Sequence, residues 1–321
     1  MKSLTSLLAV LALVGALPGT VHAQGFPTRA VRIVVPTTPG GTLDFVARLL
    51  AQKLNESWSQ GIIVDNRAGA GGIIGYDVAA KANADGHTIA IVASTFTVTA
   101  SVHGKLPYDS LRDFAPVTLV AFAPWVLVVH PSLPVRTVKE LITLTKERPG
   151  QINYASTGSG GATHLAAEML KSMTGANLTH VPYKGSAQAV TDVVGGQVQL
   201  TITGLTATMP QVTSGKLRLL AMTGRNRTAA MPDVPTIGES VPGYEYNNWF
   251  GVLAPRATPN AIVVQLHGTI VRALQANEVR QPLIAQSIEP VGNTPAQFGD
   301  MIRQEIGKYT KLAKAIGVQV D

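Results

Sequence analysis

The chain has 321 residues, of which 45% are hydrophobic and 14% are charged, and it contains no cysteine. This composition argues against a disordered chain, and the missing cysteines exclude disulfides, thiolate metal sites and an N-terminal lipid anchor. The formal charge of +7 favours anionic ligands, whereas the basic residues are too dispersed for a nucleic-acid partner to be expected. The length suggests two domains.

The first 23 residues have the pattern of a secretory signal peptide. Lys2 provides a positive charge, residues 4–17 form an apolar run, and residues 21–23 form a small-residue cleavage site. The apolar run is shorter than a typical transmembrane helix, and no later apolar stretch approaches the length that such a helix needs. We therefore predict cleavage after Ala23 and a soluble mature protein. Export without disulfides fits a bacterial periplasm.

The mature chain begins with a strand, a glycine turn and a helix start. Residues 31–35 are rich in β-branched side chains, and residues 36–41 contain two prolines and two glycines. From Thr42 onward, apolar side chains recur at helical spacing. Glycines before a helix start leave backbone N–H groups free, and these groups together with the helix dipole can bind an anion.

A second copy of this arrangement lies far downstream. Residues 151–157 read as a strand, residues 158–161 form a glycine-rich turn, and residues 162–172 have the pattern of a helix. Two such turns in separate parts of the chain could face one ligand from opposite sides. We expect the rest of the chain to support that arrangement.

Two further strand–helix units follow the first helix. Residues 62–65 form a short apolar strand, and the glycine-rich residues 66–72 lead into a helix. This segment lacks a complete G-x-G-x-x-G, so a dinucleotide site is disfavoured, and its glycines favour close packing over ligand contact. The strand 87–93 comes next, with Thr95 just after it. Ligands of α/β sheets bind beyond the carboxyl ends of strands, so Thr95 is a candidate contact.

The pattern predicts two α/β lobes with parallel sheets, joined by two crossovers. One β-like run at 117–124 directly abuts another at 125–130, and residues 249–255 read as the return. We assign residues 24–124 and 249–321 to lobe I and residues 125–248 to lobe II. The tail helices are expected to pack on lobe I.

Five motifs, in this order, resemble those of the Bug-type solute-binding proteins of tripartite tricarboxylate transporters. The resemblance covers essentially the whole mature chain. The motifs are Pro-x-x-Pro-Gly-Gly-x-x-Asp at 36–44, Asn-Arg-x-Gly-Ala-Gly-Gly at 66–72, Asn-Tyr-Ala-Ser at 153–156, His-Val-Pro-Tyr-Lys-Gly at 180–185 and Met-Pro-Asp-Val-Pro-Thr at 231–236.

The resemblance implies an α/β, two-lobed periplasmic-binding-protein fold of type II, the Venus flytrap, with two crossovers. It also implies capture of a small carboxylate between the lobes and its delivery to transporter membrane subunits. In the family, the two glycine loops grip a ligand carboxylate. Carried over, and with Thr95 and Thr203 added at strand ends, the ligand-binding candidates are Thr38, Pro39, Gly40, Gly41, Asp44, Thr95, Ser156, Thr157, Gly158, Thr163, His164 and Thr203.

Several of these residues have an equally simple structural role. Asp44 could cap its own helix, and His164 could be a satisfied histidine on a helix face. Tyr183 and Lys184 are interpreted as turn residues. Thr203 stands where the family commonly has an acidic side chain, which argues against a ligand that carries an amino group.

Two other functions remain open at this point. The chain could be the ligand-binding part of a sensory system, or an enzyme on the same fold. The sequence has no G-x-S-x-G, H-E-x-x-H, P-loop or S-x-x-K motif, which makes an enzyme the weakest alternative. We expect no catalytic residues, no metal, no cofactor and a monomeric protein.

Overall fold

The computed structural model describes residues 25–228 and 230–318. The predicted signal peptide and its cleavage after Ala23 lie outside these residues. Within the described ranges, no helix is both long and apolar enough to cross a membrane. The fold consists of two β-sheets, each covered by helices.

The strands are β1 (Val31–Val35), β2 (Ile62–Asn66), β3 (Thr88–Ala93), β4 (Phe114–Phe122), β5 (Val126–Val129), β6 (Ile152–Ser156), β7 (Leu178–Pro182), β8 (Leu200–Thr203), β9 (Arg218–Met222), β10 (Trp249–Pro255) and β11 (Glu289–Pro290).

The helices are α1 (Thr42–Asn55), α2 (Ile73–Ala80), α3 (Thr95–Val102), α4 (Val138–Glu147), α5 (Ala162–Thr174), α6 (Ser186–Val194), α7 (Leu205–Thr213), α8 (Ile237–Ser240), α9 (Asn260–Gln275), α10 (Asn277–Ala285) and α11 (Pro295–Ile316). A short 3-10 turn over Ala70–Gly72 precedes α2.

The first sheet has the strand order β11-β4-β10-β3-β1-β2, and the second has the order β7-β6-β8-β5-β9. Strands β1, β2 and β3 run parallel, as predicted, but β10 is antiparallel to both of its neighbours, β3 and β4. In the second sheet, β5 is antiparallel to β8 and β9. The prediction of parallel sheets was therefore wrong for the strands that cross between the sheets, because a strand arriving from the other lobe enters from the opposite end.

The chain passes between the sheets twice. Residues 123–125 join β4 to β5, and the return runs from the end of β9 to the start of β10. The two passages are hydrogen-bonded to each other, since the Ala123 N–H donates to the Asn248 carbonyl at 2.8 Å. This confirms the predicted two-lobed α/β fold with two crossovers. The lobe boundaries at 124/125 and 248/249 stay a prediction.

Each sheet has its own apolar core. Helix α1 buries Leu43, Val46, Leu50 and Leu54 against the first sheet, at the spacing that predicted the helix. Gly251 of β10 lies directly beneath the ring of Phe298, where a Cβ atom would clash. The glycine therefore lets the C-terminal helix α11 pack closely on the crossing strand.

Helix α11 is the main difference from the predicted packing. Its first half contacts lobe I, as expected, through Phe298 and Ile302. Its second half reaches the other core, because Tyr309 and Ala313 pack in the apolar cluster of the second sheet. The tail therefore packs on lobe I as predicted, and the second half of α11 in addition reaches lobe II beside the crossovers, which was not predicted.

Candidate functional site

A cavity of about 610 Å³ lies between the two lobes. Both glycine loops reach its wall: the first glycine loop, residues 37–41, belongs to lobe I, and the second glycine loop, residues 157–161, belongs to lobe II. Their helices, α1 and α5, begin at the cavity. Gly41 and Gly161 occupy the N-cap positions, and at neither helix start does a backbone N–H donate to a capping side chain. The free N–H groups of both first turns are thus available at the cleft.

Four more helices begin at the same cavity. Their N-cap residues are Gly72, Ser94, Gly185 and Gly204, and none of these helices has a side-chain cap. Gly72, Gly185 and Gly204 lie on the cavity wall, as does Thr95, the first residue of α3. Six uncapped helix starts therefore surround one cavity, and each contributes partial positive charge.

The side chains of the wall are mostly hydroxyls and small apolar groups. Among the described residues, no aspartate or glutamate lines the cavity, whereas Lys184 and His103 do. The remaining polar side chains are neutral under ordinary conditions. Other polar lining residues are Thr37, Thr38, Thr42, Tyr76, Thr95, Thr99, Thr157, Ser159, Thr163, Tyr183, Ser186, Thr203 and Asn248. The wall is consequently rich in donors and free of carboxylate charge.

Asp44 lies behind the first glycine loop rather than on the wall. Its carboxylate accepts hydrogen bonds from the Gly40 N–H at 3.0 Å, from Arg48 at 2.9 Å and from Asn66 at 2.9 Å. Asn66 also donates to the Thr37 carbonyl at 3.1 Å. Burial would raise the pKa of Asp44, but these hydrogen bonds outweigh it and lower the pKa. Asp44 therefore stays charged and fixes the loop, and the Asn of the second motif completes this support.

The second glycine loop is held by hydroxyl groups. Thr163 accepts from the Thr157 N–H at 2.9 Å, and the hydroxyls of the two threonines are also 2.9 Å apart. Because Thr157 lies on the wall and its N–H is already engaged, its hydroxyl is the group that it can offer a ligand. Buried Ser156 accepts from the Gly158 N–H at 3.2 Å.

His164 and His180 lie beneath this loop. The Gly160 N–H donates to Nδ1 of His164 at 3.0 Å, and Nε2 of His180 lies 2.6 Å from the Ser156 hydroxyl. The two imidazole rings stack with centroids 3.9 Å apart. The pKa of each histidine is lowered, chiefly by burial, and that of His180 falls to about 4.

The structure divides the twelve sequence candidates into two groups. Seven line the cavity, and five do not. Those on the wall are Thr38, Gly41, Thr95, Thr157, Gly158, Thr163 and Thr203, and the other five are Pro39, Gly40, Asp44, Ser156 and His164. Tyr183 and Lys184, which were interpreted as turn residues, also line the cavity.

Some lining residues were missed entirely. Trp125 and Asn248 belong to the two passages between the lobes, Thr99 belongs to the unpredicted helix α3, and His103 directly follows that helix. Asn248 also accepts a hydrogen bond from Ser94 at 2.8 Å. Only the change of pattern at the crossovers could have indicated the first two residues, because crossing segments of a two-lobed fold form the floor of its cleft.

The lobes touch across the cleft. The Thr42 hydroxyl donates to Thr206 of lobe II at 3.2 Å, and Thr206 donates to Gln286 at 3.3 Å. Gly204 of lobe II lies so close to Thr42 of lobe I that a Cβ atom on Gly204 would be 2.9 Å from the Thr42 hydroxyl. Thr228 and Ser287 form a further interlobe hydrogen bond at 3.1 Å. The two lobes are therefore in direct contact beside the cavity.

The described residues contain no group of three or more His, Cys, Asp or Glu side chains that could hold a metal ion. The arrangement is instead suited to holding an anion by N–H and O–H donors. Such donors bind an anion without a buried countercharge that would itself have to be desolvated.

Comparison with known proteins agrees with this geometry. Residues 46–318 match the family model of the tripartite tricarboxylate transporter family receptor. The protein BugT of Bordetella pertussis is 38% identical over 324 aligned positions, covering 99% of both chains.

Solved structures are similar as well. Rpa4515 of Rhodopseudomonas palustris, solved with adipate, is 40% identical with a TM-score of 0.87, covering 92% of this chain and 99% of its own. MatC (Rpa3494) from the same species, with bound malate, is 29% identical with a TM-score of 0.83, covering 89% and 99%. These matches confirm the predicted family and fold class. The matched family is described as a transporter receptor, so the prediction of a binding protein is confirmed.

Proposed function

We propose, because this chain belongs to the tripartite tricarboxylate transporter receptor family, that it captures a small carboxylate between its lobes and delivers it to transporter membrane subunits. The coarser description, a periplasmic-type solute-binding receptor, follows from the family itself. The proposal adds the ligand's chemical class, its position and its destination. We further propose that residues 1–23 direct export and are removed after Ala23, and that the mature protein acts as a monomer.

One observation supports this proposal above all: six uncapped helix starts meet at a cavity whose described lining has no carboxylate. Each helix start is equivalent to about half a positive charge, and an anion at that position gains about 0.3–1 kcal/mol, or up to about 2 when partly buried. Several such ends acting on one ligand favour an anion over a neutral solute.

We propose that the seven wall residues contact the ligand and that the other five shape the loops. Gly41 and Gly158 would let the ligand approach the backbone, and of the Thr157 and Thr163 hydroxyls, the one that does not donate to the other would donate to it. Thr203 contributes a hydroxyl where a carboxylate would attract an amino group. A ligand with carboxylates and without an amino group fits this wall.

A thermal-shift screen of the protein lacking residues 1–23 tests the proposal. Adipate and malate are suitable probes, because the similar structures hold them. A ligand at a hundred times its Kd stabilises a protein by about 2.7 kcal/mol. For a chain of this size, each kcal/mol raises Tm by about 2–4 °C.

The matched controls are adipamide and malamide, which keep the carbon chains but lose the charge. We expect no shift from these amides, because the helix starts would lose the charge that they attract. Mass spectrometry of the recovered ligand should show it chemically unchanged. A clear shift from a neutral sugar, from the amides or from a cation would contradict the carboxylate proposal.

A further inference from the structure

Two stacked histidines, His164 and His180, lie beneath the second glycine loop. Neither His164 nor His180 lies on the cavity wall. Both histidines are nevertheless hydrogen-bonded to residues of, or next to, the second glycine loop, which does line the cavity. His164 accepts from the N–H of buried Gly160, and His180 contacts the Ser156 hydroxyl, which in turn accepts from the Gly158 N–H.

These contacts fix the protonation state of His164. A ring nitrogen that accepts a hydrogen bond from a backbone N–H must carry no proton, so Nδ1 is the bare nitrogen and the ring is neutral. Protonation at Nδ1 would turn the acceptor into a donor facing the Gly160 N–H. The loop could then keep its present conformation only with a lost hydrogen bond and two opposed donors.

The surroundings also favour a neutral pair. The rings are nearly parallel, with an interplanar angle of 9°, and two positive charges at 3.9 Å would repel strongly. On the far side of His180, the ring of Tyr154 stacks at 5.0 Å. On this side of His180, the described residues place no carboxylate within hydrogen-bonding distance that would stabilise a protonated ring.

The nearest carboxylate, Glu168, is engaged elsewhere. It accepts hydrogen bonds from the Tyr154 hydroxyl at 2.7 Å and from Lys171 at 2.6 Å. Its distance to Nε2 of His164 is 3.9 Å, which is too long for a hydrogen bond. The positive charge of Lys171 partly offsets the attraction that Glu168 would exert on a charged histidine.

We propose that His164 and His180 are positioning residues, which hold the second glycine loop in its ligand-accepting conformation only while both rings are neutral. Acid then weakens ligand binding by releasing this loop. This inference rests on the proposed function, because it concerns affinity at the same cleft. It adds a pH dependence that comes from the protein rather than from the ligand.

The sign follows from the direction of the pKa shifts. Burial, followed by the charge of His164, lowers the pKa of His180 from 6.5 to about 4, and burial also lowers the pKa of His164. A histidine with a lowered pKa binds its proton more weakly in the formed loop than in a released one. Binding is therefore complete above pH 6.5 and decreases as the pH falls toward 4.

The key variant is the double substitution His164→Asn with His180→Gln. The Asn amide oxygen occupies roughly the place of Nδ1, the Gln amide occupies that of Nε2, and neither titrates. We expect this variant to bind adipate and malate nearly as well as wild type at pH 7.5. His164→Leu removes the acceptor for the Gly160 N–H and should weaken binding about ten- to a hundredfold at the same pH.

Affinities are then measured by calorimetry from pH 7.5 to pH 4.5. Because the ligand's own carboxylates also titrate there, the quantity compared is the loss of affinity in wild type relative to the double variant. Between pH 7.5 and pH 4.5, we expect the affinity of wild type to fall by at least about tenfold more than that of the double variant. This is the effect of one proton that a histidine takes up when the loop is released. Parallel curves, together with unchanged affinity in His164→Leu, would overturn the inference.

A ligand-free measurement separates this inference from the proposed function. At pH 7.5, long-range ¹H–¹⁵N NMR should find a proton on Nε2 of His164 and none on Nδ1. On acidification, the Gly160 amide signal should shift in wild type but not in the double variant. A proton on Nδ1 at pH 7.5 would overturn the inference even if adipate binds. If no carboxylate binds at all, the proposed function fails, while the NMR result still decides whether the histidines position the loop.

Discussion

Helices begin in two ways in this protein, and the difference follows their place relative to the cleft. The six helices that begin at the cavity have glycine or serine at the N-cap and no capping side chain. Three others, α4, α8 and α11, begin away from it with complete capping boxes. In these, Thr137, Thr236 and Thr294 pair with Glu140, Glu239 and Gln297.

The contrast fits the proposed function. Relative to a glycine N-cap, a capping side chain stabilises a helix start by only about a few tenths of a kcal/mol, so the open starts cost the fold little. At the cleft, a cap would occupy the N–H groups that a carboxylate needs. Helices α9 and α10 also lack a side-chain cap, although they begin elsewhere, so a missing cap alone does not mark the site. The informative feature is the convergence of uncapped starts on one cavity.

The largest expected loss of ligand affinity comes from placing a side chain at the uncapped N-terminus of α1. Gly41 has ordinary backbone angles, φ −83° and ψ 170°, and a Cβ atom there would meet nothing within 4 Å. Gly41→Val should therefore fold normally while its side chain blocks the approach to α1. We expect a loss of carboxylate affinity of more than about a hundredfold, measured by calorimetry, since several charge-assisted hydrogen bonds are lost.

The matched control is Gly307→Val, an exposed glycine of α11 whose Cβ would also meet open space. It should leave affinity unchanged. Gly158→Val would be a poorer test, because φ is +134° at Gly158 and a valine there is strained. If Gly41→Val binds as wild type does, the first glycine loop is not part of the site.

A smaller effect is expected from removing one donor. Thr157→Val keeps the shape of this lining side chain but deletes its hydroxyl, which lies 2.9 Å from the Thr163 hydroxyl. The loss of one hydrogen bond to a charged group costs about 1.5–3 kcal/mol, or roughly ten- to a hundredfold in affinity. Thr191→Val, which removes a hydroxyl bonded to Ala187 on an exposed part of the same lobe, is the control. Equal affinities of the two variants would show that Thr157 does not contact the ligand.

The smallest effect on binding is expected at a peripheral cap. Thr294→Ala breaks the capping box of α11, in which Thr294 accepts from the Gln297 N–H at 3.3 Å. We expect a loss of about 0.5–2 kcal/mol in the free energy of unfolding and an affinity within twofold of wild type. Thermal melting and calorimetry measure the two quantities separately. A parallel loss of affinity would mean that helix starts act on binding through overall stability.

Much of this arrangement could be predicted from the sequence, because glycines before a helix and β-branched strands are local signals. The first and second glycine turns were identified in this way, and the fold followed from the order of the elements. Asp44 and His164 could not be placed, since a residue next to a loop has the same sequence signal whether it faces the ligand or supports the loop from behind. In the structure, each of them accepts a hydrogen bond from its own loop, Asp44 from the Gly40 N–H and His164 from the Gly160 N–H.

The lining residues Trp125 and Asn248 were beyond local reasoning for a different reason. Their place on the cavity depends on how two passages, about 120 residues apart, lie against each other. The bridging of both cores by α11 is equally non-local. Periodicity shows which side of a helix is apolar, but Tyr309 and Phe298 carry no signal for which lobe each one enters.

The most direct test of the central claim compares two variants of one residue, Gly41→Asp and Gly41→Asn. Both side chains have nearly the same shape and both can cap α1, but only aspartate brings negative charge to the helix start. The comparison uses the acid that stabilises wild type most. If uncapped helix starts hold a carboxylate, calorimetry should find the Asp variant at least about tenfold weaker than the Asn variant, because the ligand would meet a like charge. Equal affinities of the two variants would contradict the account.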